Sequence, residues 1–251
     1  MELDKFTTSV GGVVPLNWPL KMTENLKTAI QNLYKTFSAY TLNRGMPGCP
    51  CCVNEARQEV LYSKPLKQLS GQELSHYYLK AMTTWGGVND FKHFLPRFFE
   101  ILATDKETLQ VFIIFEHLDY ANWDTWSLDE REPIKSFLIA WWEDSTLSEF
   151  YFNGEEFLYF GSAIGSFQPL LDNWNISIDN PTFKNLIHFI FGEFQQYKIG
   201  KGIDEEAFYL LRNWLAGHAS IIEKGFYYYE KSDPAFAQTI SFCYDIVTKM
   251  Y

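Results

Sequence analysis

Two stretches of the chain, KHFLPRFFE at residues 92–100 and KSFLIAWWE at residues 135–143, carry the same residue pattern 43 positions apart. Both contain a lysine, a Phe-Leu pair, two adjacent aromatic residues and a final glutamate. A weaker third copy begins at Lys184. Apolar residues spaced three and four positions apart form one face of an α-helix. The repetition therefore predicts several similar buried helices.

The separation of these copies indicates how the helices are arranged. Solenoid repeats of the HEAT class recur about every 40–47 residues, and each unit needs its neighbours to bury its apolar face. We therefore predict an all-α fold of antiparallel helix pairs, with a HEAT-like α-solenoid as the specific arrangement. Any helix buried on two sides shows similar apolar pairs, so an irregular all-α domain is the alternative.

Helical spacing continues along most of the chain. Between Thr23 and Leu42, apolar residues recur at spacings of three and four, and threonine is a residue type that caps helix starts. Ser70 and Glu73 have the spacing of a capping box. Few segments alternate as strands do. The predicted helices span residues 23–42, 54–62, 71–84, 88–103, 105–121, 128–151, 155–164, 180–197, 204–217, 218–231 and 234–250.

We predict a single all-α domain over residues 1–251. No stretch rich in proline, glycine and serine separates two periodic regions of the sequence. The N-terminal segment, residues 1–22, is predicted to be irregular because glycines and prolines interrupt it. Two glycines and two prolines likewise predict a loop over residues 43–53, which we call the cysteine loop.

The composition excludes several classes of protein. Of the 251 residues, 47% are hydrophobic and 18% are aromatic, which predicts a thick aromatic core rather than a disordered chain. The net charge of -10 disfavours nucleic-acid binding, because phosphates repel an acidic surface. No apolar run is long enough for a membrane span, and the acidic start lacks the cationic region of a signal peptide. We therefore expect a cytoplasmic protein without a membrane partner.

Three of the four cysteines lie close together in the cysteine loop, at Cys49, Cys51 and Cys52. Cys49 and Cys52 have the C-x-x-C spacing with which a turn holds one Zn²⁺ ion, and Cys51 adds a third thiol. The fourth ligand would be His93 or His76. Thiol-redox chemistry and thiols that only pack are the alternatives. Zinc is the one cofactor that the sequence suggests.

A second candidate site lies at residues 83–97, where two glycines precede a helix that contains a proline. Asp90, His93 and Arg97 fall on one face of this helix, and Trp85 stands just before it. Three ionisable side chains of different types on one turn are able to bind a ligand or relay a proton. These four residues are candidates for ligand or partner binding, and a solvated face with an internal ion pair is the alternative.

Other catalytic templates are missing from the sequence. It has no P-loop, no serine-hydrolase elbow, no H-E-x-x-H and no complete G-x-G-x-x-G motif. The acidic stretches at residues 129–132 and 204–206 are interpreted as helix starts and solvated faces. We interpret His117, His188 and His218 as residues of the core or of its boundary.

Three motifs together resemble a group of bacterial cytosolic proteins that have no assigned activity. They are CPCCV at residues 49–53, KAMTTWG at 80–86 running into DFKHFLPR at 90–97, and FLIAWW at 137–142. The resemblance covers residues 49–143. It implies a bacterial source and no mechanism.

Two functional hypotheses follow from the sequence. The favoured one is a non-catalytic helical protein that binds another protein, and the acidity of the chain fits a basic partner. It is supported by the internal similarity, the missing catalytic motifs and the surplus of aromatic residues. The alternative is a metal-dependent or thiol-redox enzyme centred on Cys49, Cys51 and Cys52, with His93 or His76.

Overall fold

The computed structural model describes residues 22–42, 44–51, 53–105, 107–149, 151–199 and 202–249. Within these ranges the chain forms twelve α-helices, so the all-α prediction is confirmed. The helices are α1 (Glu24–Thr36), α2 (Glu55–Tyr62), α3 (Gly71–Lys80), α4 (Val88–Thr104), α5 (Val111–Tyr120), α6 (Leu128–Thr146), α7 (Glu156–Ile164), α8 (Gln168–Asp172), α9 (Pro181–His188), α10 (Glu205–Gly217), α11 (Ala219–Tyr229) and α12 (Pro234–Thr248). Two short segments, β1 (Lys198–Ile199) and β2 (Gly202–Ile203), pair in parallel.

Some helix ends differ from the sequence prediction. α3 ends at Lys80 rather than at residue 84, because Ala81 is extended and Met82 adopts a positive φ of 63°. A left-handed residue ends an α-helix wherever it occurs. α5 begins at Val111 rather than at residue 105, after a turn that the apolar spacing does not reveal.

The predicted helix at residues 180–197 is divided into three pieces. α9 passes into a π-helical turn at Phe189–Glu193, and a 3₁₀ turn at Phe194–Gln196 follows. π-helical turns are rare and occur frequently at functional sites. The short helix α8 has no counterpart among the predicted helices, since five residues are too few to show a helical period.

Capping side chains fix several helix starts as predicted. The Thr23 hydroxyl accepts a hydrogen bond from the backbone N–H of Leu26 at 3.3 Å. Ser70 and Glu73 form a reciprocal capping box at the start of α3. Such caps satisfy backbone donors that the first helical turn leaves without partners.

Aromatic rings fill the core. Phe99 of α4 packs on Phe137 of α6 with ring centroids 4.9 Å apart, and Trp141 packs on Phe160 of α7 at 4.7 Å. The largest fully buried side chains are aromatic: Trp85, Trp141, Trp142, Tyr77, Tyr78, Phe91, Phe94, Phe98, Phe99, Phe137, Phe157 and Phe160. The predicted aromatic core is thus present.

The N-terminal helix α1 lies against α6, which is far from it in sequence. The Asn25 amide donates to the Glu143 carboxylate at 2.8 Å, and the Thr23 N–H donates to Asp144 at 2.7 Å. Consecutive units of a solenoid contact only their neighbours, so the HEAT-like arrangement is not confirmed. One continuous cluster of buried apolar side chains extends from α1 to α12.

Two irregular segments were predicted. Residues 1–21 of the predicted N-terminal segment lie outside the described residues. The described part of the cysteine loop, residues 44–51 and 53, contains turns and extended backbone and no helix.

Candidate functional site

A cleft of about 620 Å³ opens beside α5 and α7. We call it the acidic cleft. One face of α5 lines it with residues spaced three and four apart, and the start of α7 and the π-helical turn close it. Its charged and aromatic lining residues are Phe112, Phe115, Glu116, Asp119, Trp123, Glu155, Tyr159, Glu193 and Tyr197.

Four carboxylates face this cleft, and among the residues that the structure describes no lysine or arginine lines it. In the described ranges, no basic side chain forms an ion pair with Glu116, Asp119, Glu155 or Glu193. Elsewhere on the molecule, acidic side chains do find basic partners, as Glu73 does with Lys64 at 2.7 Å. The acidic cleft is therefore a concentration of unneutralised negative charge.

The surroundings of two of these carboxylates, Glu193 and Asp119, disfavour their charged forms. Burial raises the pKa of Glu193, and the nearby negative charge of Glu155 raises it further. Burial also raises the pKa of Asp119, with a contribution from Asp124. A carboxylate whose pKa is raised gains free energy when a cation arrives beside it. The electrostatics thus favour a positively charged ligand.

Aromatic rings form the apolar part of the acidic cleft. Phe115 and Tyr159 stack with centroids 5.4 Å apart and ring planes inclined by 9°. Phe112 projects from α5 with 42% of its surface exposed. Aromatic faces attract ammonium and guanidinium groups through the ring quadrupole. The exposed Phe112 ring, which lines the cleft together with Glu116, is therefore suited to contact an organic cation.

Gly154 allows the π-helical turn to approach the start of α7. A Cβ atom at Gly154 would collide with the Glu193 side chain. The Tyr197 hydroxyl donates to the Gly154 carbonyl at 3.0 Å, which fixes the following turn in place. This close approach brings Glu193 beside Glu155.

Among the described residues, no group of three or more His, Cys, Asp and Glu side chains is placed to hold a metal ion. A hard cation such as Ca²⁺ needs six to eight oxygen ligands about 2.3–2.6 Å away. The four carboxylates reach the acidic cleft from three segments, since Glu116 and Asp119 lie on α5, Glu155 precedes α7 and Glu193 lies in the π-helical turn.

The cysteine loop is tied to the segment that joins α3 and α4. The Cys49 N–H donates to the Thr84 carbonyl at 2.8 Å, and the Gly86 N–H donates to the Pro47 carbonyl at 2.7 Å. Gly48 pairs with Trp85 in an antiparallel bridge. The CPCC and TTWG motifs, which are separate in the sequence, therefore form one structural unit.

Two thiols of the predicted metal site lie side by side. The sulfur atoms of Cys49 and Cys51 are 2.7 Å apart, with Cys51 exposed and Cys49 half-buried. Cys52, the third predicted ligand, lies outside the described residues. The zinc site remains a prediction.

The two candidate histidine ligands make other contacts. His93 Nδ1 donates to the Tyr40 carbonyl at 2.8 Å. His76 Nε2 accepts from the Arg57 guanidinium at 2.8 Å, and its ring packs against Trp85 at 5.9 Å. Because Trp85 also pairs with the cysteine loop, His76 belongs to the same unit as the thiols.

The other residues of the second candidate site also have internal partners. Trp85 is 1% exposed, so little of its ring is available to a ligand. Asp90 accepts from the Gly87 N–H at 2.8 Å and caps α4. Arg97 donates to the Leu69 carbonyl and to the Glu100 carboxylate, both at 2.7 Å. Their role in binding remains a prediction.

One charged cluster of this region was not expected. Lys92 is 7% exposed and its ammonium donates to Glu130 at 2.6 Å. Tyr40 donates to the same carboxylate oxygen at 2.6 Å, and the Trp126 ring lies 4.0 Å from the Lys92 nitrogen. The sequence predicts that residues 129–132 provide helix-start and solvated charge. Glu130 does cap α6, but it also forms a largely buried ion pair.

Comparison of the chain with models of protein families, with curated proteins and with solved structures found no match. The resemblance to a bacterial group stays a prediction. Within the described ranges, no helix has the length and apolar character needed to cross a membrane. What the structure shows of this protein is an all-α fold with an acidic cleft that aromatic residues line.

Proposed function

We propose that this chain is a non-catalytic interaction protein that binds a basic segment of another protein in the acidic cleft. The observation that carries the proposal is the lining of the cleft, where four carboxylates and five aromatic rings come together and the described lining contains no lysine or arginine. The proposal does not require stacked HEAT-like helix pairs, which stay a prediction.

The chemistry of the lining matches lysine and arginine side chains. Their charged groups pair with carboxylates such as Glu155 and Glu193, and their apolar stems and cationic heads lie well on aromatic faces. A bound cation also removes the unfavourable proximity of the two glutamates, which raises the pKa of Glu193 in the free protein. Binding therefore gains free energy from a site that is electrostatically unfavourable when empty.

The charge of the whole chain supports the same partner. A net charge of -10 attracts basic proteins over distances of about a Debye length, roughly 8–10 Å at physiological salt. Such steering raises association rates and decreases steeply with ionic strength. We expect binding to weaken as salt is added.

Fluorescence anisotropy with a labelled octa-lysine peptide tests the proposal. The double variant Glu155→Gln/Glu193→Gln removes two charges from the cleft without changing side-chain size. Each exposed ion pair between a glutamate and a lysine of the peptide contributes about 0.2–1 kcal/mol to binding. Loss of two such pairs should weaken binding by the double variant about 2- to 30-fold.

The matched control is Glu223→Gln/Glu230→Gln, which removes the same charge from exposed positions outside the cleft. We expect the control to bind within about twofold of the unmodified protein, since distant exposed charges are screened. Equal weakening in both double variants would show that only net charge matters, and the proposed site would be wrong.

A further inference from the structure

The geometry of the cysteine loop points to a second activity, independent of the acidic cleft: we propose that Cys49 and Cys51 are a reversible dithiol–disulfide pair. Their sulfur atoms are 2.7 Å apart across Pro50. The loop that carries them is held by hydrogen bonds from Cys49 to Thr84 and from Val53 to Cys49, at 2.8 and 2.9 Å. The two thiols are therefore placed together by the fold.

The sulfur–sulfur distance favours bond formation over metal binding by this pair. Two thiolates on one tetrahedral Zn²⁺ ion, each about 2.3 Å from the metal, lie about 3.8 Å apart. A disulfide bond is about 2.05 Å long. The separation of 2.7 Å is closer to the second value than to the first. The pair needs only a small movement to form the bond.

The different exposure of the two thiols assigns their order of reaction. Cys51 is exposed and Cys49 is half-buried. Cys51 first loses its proton, and the resulting thiolate attacks a low-molecular-weight disulfide to form a mixed disulfide. The thiolate that leaves takes up a proton and is released as one thiol. The Cys49 thiolate then attacks the Cys51 sulfur and displaces the second thiol. Two protein thiols are oxidised and one small disulfide is reduced to two thiols.

The resulting bond should be readily reversed. It closes a loop of only three residues and lies at the surface, and exposed or strained disulfides have more oxidising potentials than structural ones. The short loop also restricts the unfolded chain little. The pair therefore suits reversible exchange better than stabilisation of the fold.

Cys243 provides an internal control. It is fully buried in α12, and burial raises the pKa of its thiol to about 12. Because the thiolate is the reactive form, Cys243 should not react with a disulfide in the folded protein. Any reaction that includes Cys243 would report unfolding instead of exchange at the cysteine loop.

The test is peptide mass spectrometry after incubation of the folded, reduced protein with oxidised glutathione. We expect the loop peptide to lose two hydrogens and, in Cys52→Ser, which lacks the third loop thiol, to carry no glutathione. In Cys49→Ser/Cys52→Ser the remaining Cys51 should accumulate one glutathione. In Cys51→Ser/Cys52→Ser the remaining Cys49 should react about tenfold more slowly, because access limits exchange.

The single variant Cys52→Ser distinguishes this pair from other pairings. The proposal expects it to form the intramolecular bond at the same rate as the unmodified protein. If Cys52→Ser fails to form the bond, Cys52 is the true partner and the proposal is overturned. One equivalent of zinc that protects the loop thiols in the purified protein would also overturn it.

Discussion

Replacement of Glu130 by glutamine tests how the start of α6 is held to α4. The carboxylate accepts from the Lys92 ammonium and from the Tyr40 hydroxyl, each at 2.6 Å. The side chains of Lys92 and Glu130 are 9% and 14% exposed. Glutamine keeps the size of the side chain but leaves the Lys92 ammonium without its counter-ion.

The expected loss of stability follows from the burial of the Lys92–Glu130 ion pair. Removal of one partner of a buried ion pair costs about 3–5 kcal/mol. The Trp126 and Tyr40 rings, 4.0 and 5.0 Å from the Lys92 nitrogen, remain and offset about 1–2 kcal/mol of this. We therefore expect Glu130→Gln to cost about 1–4 kcal/mol, or about 2–16 °C in Tm.

A double-mutant cycle isolates the interaction. Lys92→Met alone should cost less than Glu130→Gln, because Glu130 keeps its hydrogen bonds from Tyr40 and Ser127. Lys92→Met/Glu130→Gln should cost less than the sum of the single variants by about 1.5–3 kcal/mol. Urea unfolding at pH 7 measures all three.

The coupling should also depend on pH. Burial alone raises the pKa of Glu130, but hydrogen bonds from Lys92, Tyr40 and Ser127 outweigh it and hold the pKa below its ordinary value. A lowered carboxyl pKa gives stability that is present above the unfolded pKa and is lost as pH falls through the folded pKa. The coupling energy should therefore vanish in acid. A coupling below about 0.5 kcal/mol at pH 7 would refute the reasoning.

Three further predictions concern glycine packing and titration. Gly225→Ala should destabilise the fold by about 1–3 kcal/mol in urea unfolding, because its Cβ would collide with the buried Phe183 ring; an unchanged midpoint would contradict this packing. Burial lowers the pKa of His117 and of His188, so the unfolded chain takes up protons at a higher pH than the folded protein does. The free energy of unfolding should therefore decrease below pH 6.5. His117→Gln should reduce that decrease in thermal scans. Burial raises the pKa of Glu193, so ionisation of this carboxyl destabilises the native state. Glu193→Gln should therefore raise Tm at pH 7. This gain should disappear near pH 3.5, where Glu193 is protonated in both the folded and the unfolded protein.

The helices could be predicted because local spacing encodes them. Leu26, Ile30 and Leu33 are fully or nearly buried on α1, as their spacing of three and four indicates. The capping box of Ser70 and Glu73 is local in the same way. Helix ends set by a single backbone conformation, such as the positive φ of Met82, leave no periodic signal.

The candidate site could be predicted only in part. Thiol clustering in the cysteine loop is visible in the sequence, because three cysteines lie within four positions. The acidic cleft is not visible in the sequence, because Glu116, Glu155 and Glu193 come from segments about 40 residues apart and meet only through tertiary packing. The one local signal is the helical spacing of Phe112, Glu116 and Asp119 on α5, where aromatic and acidic residues share a face.

The Lys92–Glu130 pair was missed for a similar reason. Charged residues at a helix start are usually solvated, and nothing local shows that Tyr40 and Trp126 enclose Lys92. The segment after α1 supplies Tyr40, and a 3₁₀ turn before α6 leads into Trp126. Only the packed arrangement of these segments brings the rings together.

The central claim is that the acidic cleft binds basic protein segments. Zero-length carbodiimide cross-linking joins a carboxylate to an amine only when the two are in contact, so an octa-lysine peptide cross-linked to the folded protein reports where it lies. We expect the joined carboxylates, identified by mass spectrometry, to be Glu116, Asp119, Glu155 and Glu193. Cross-links spread evenly over exposed acidic residues such as Glu223, or absent from the cleft, would contradict the account.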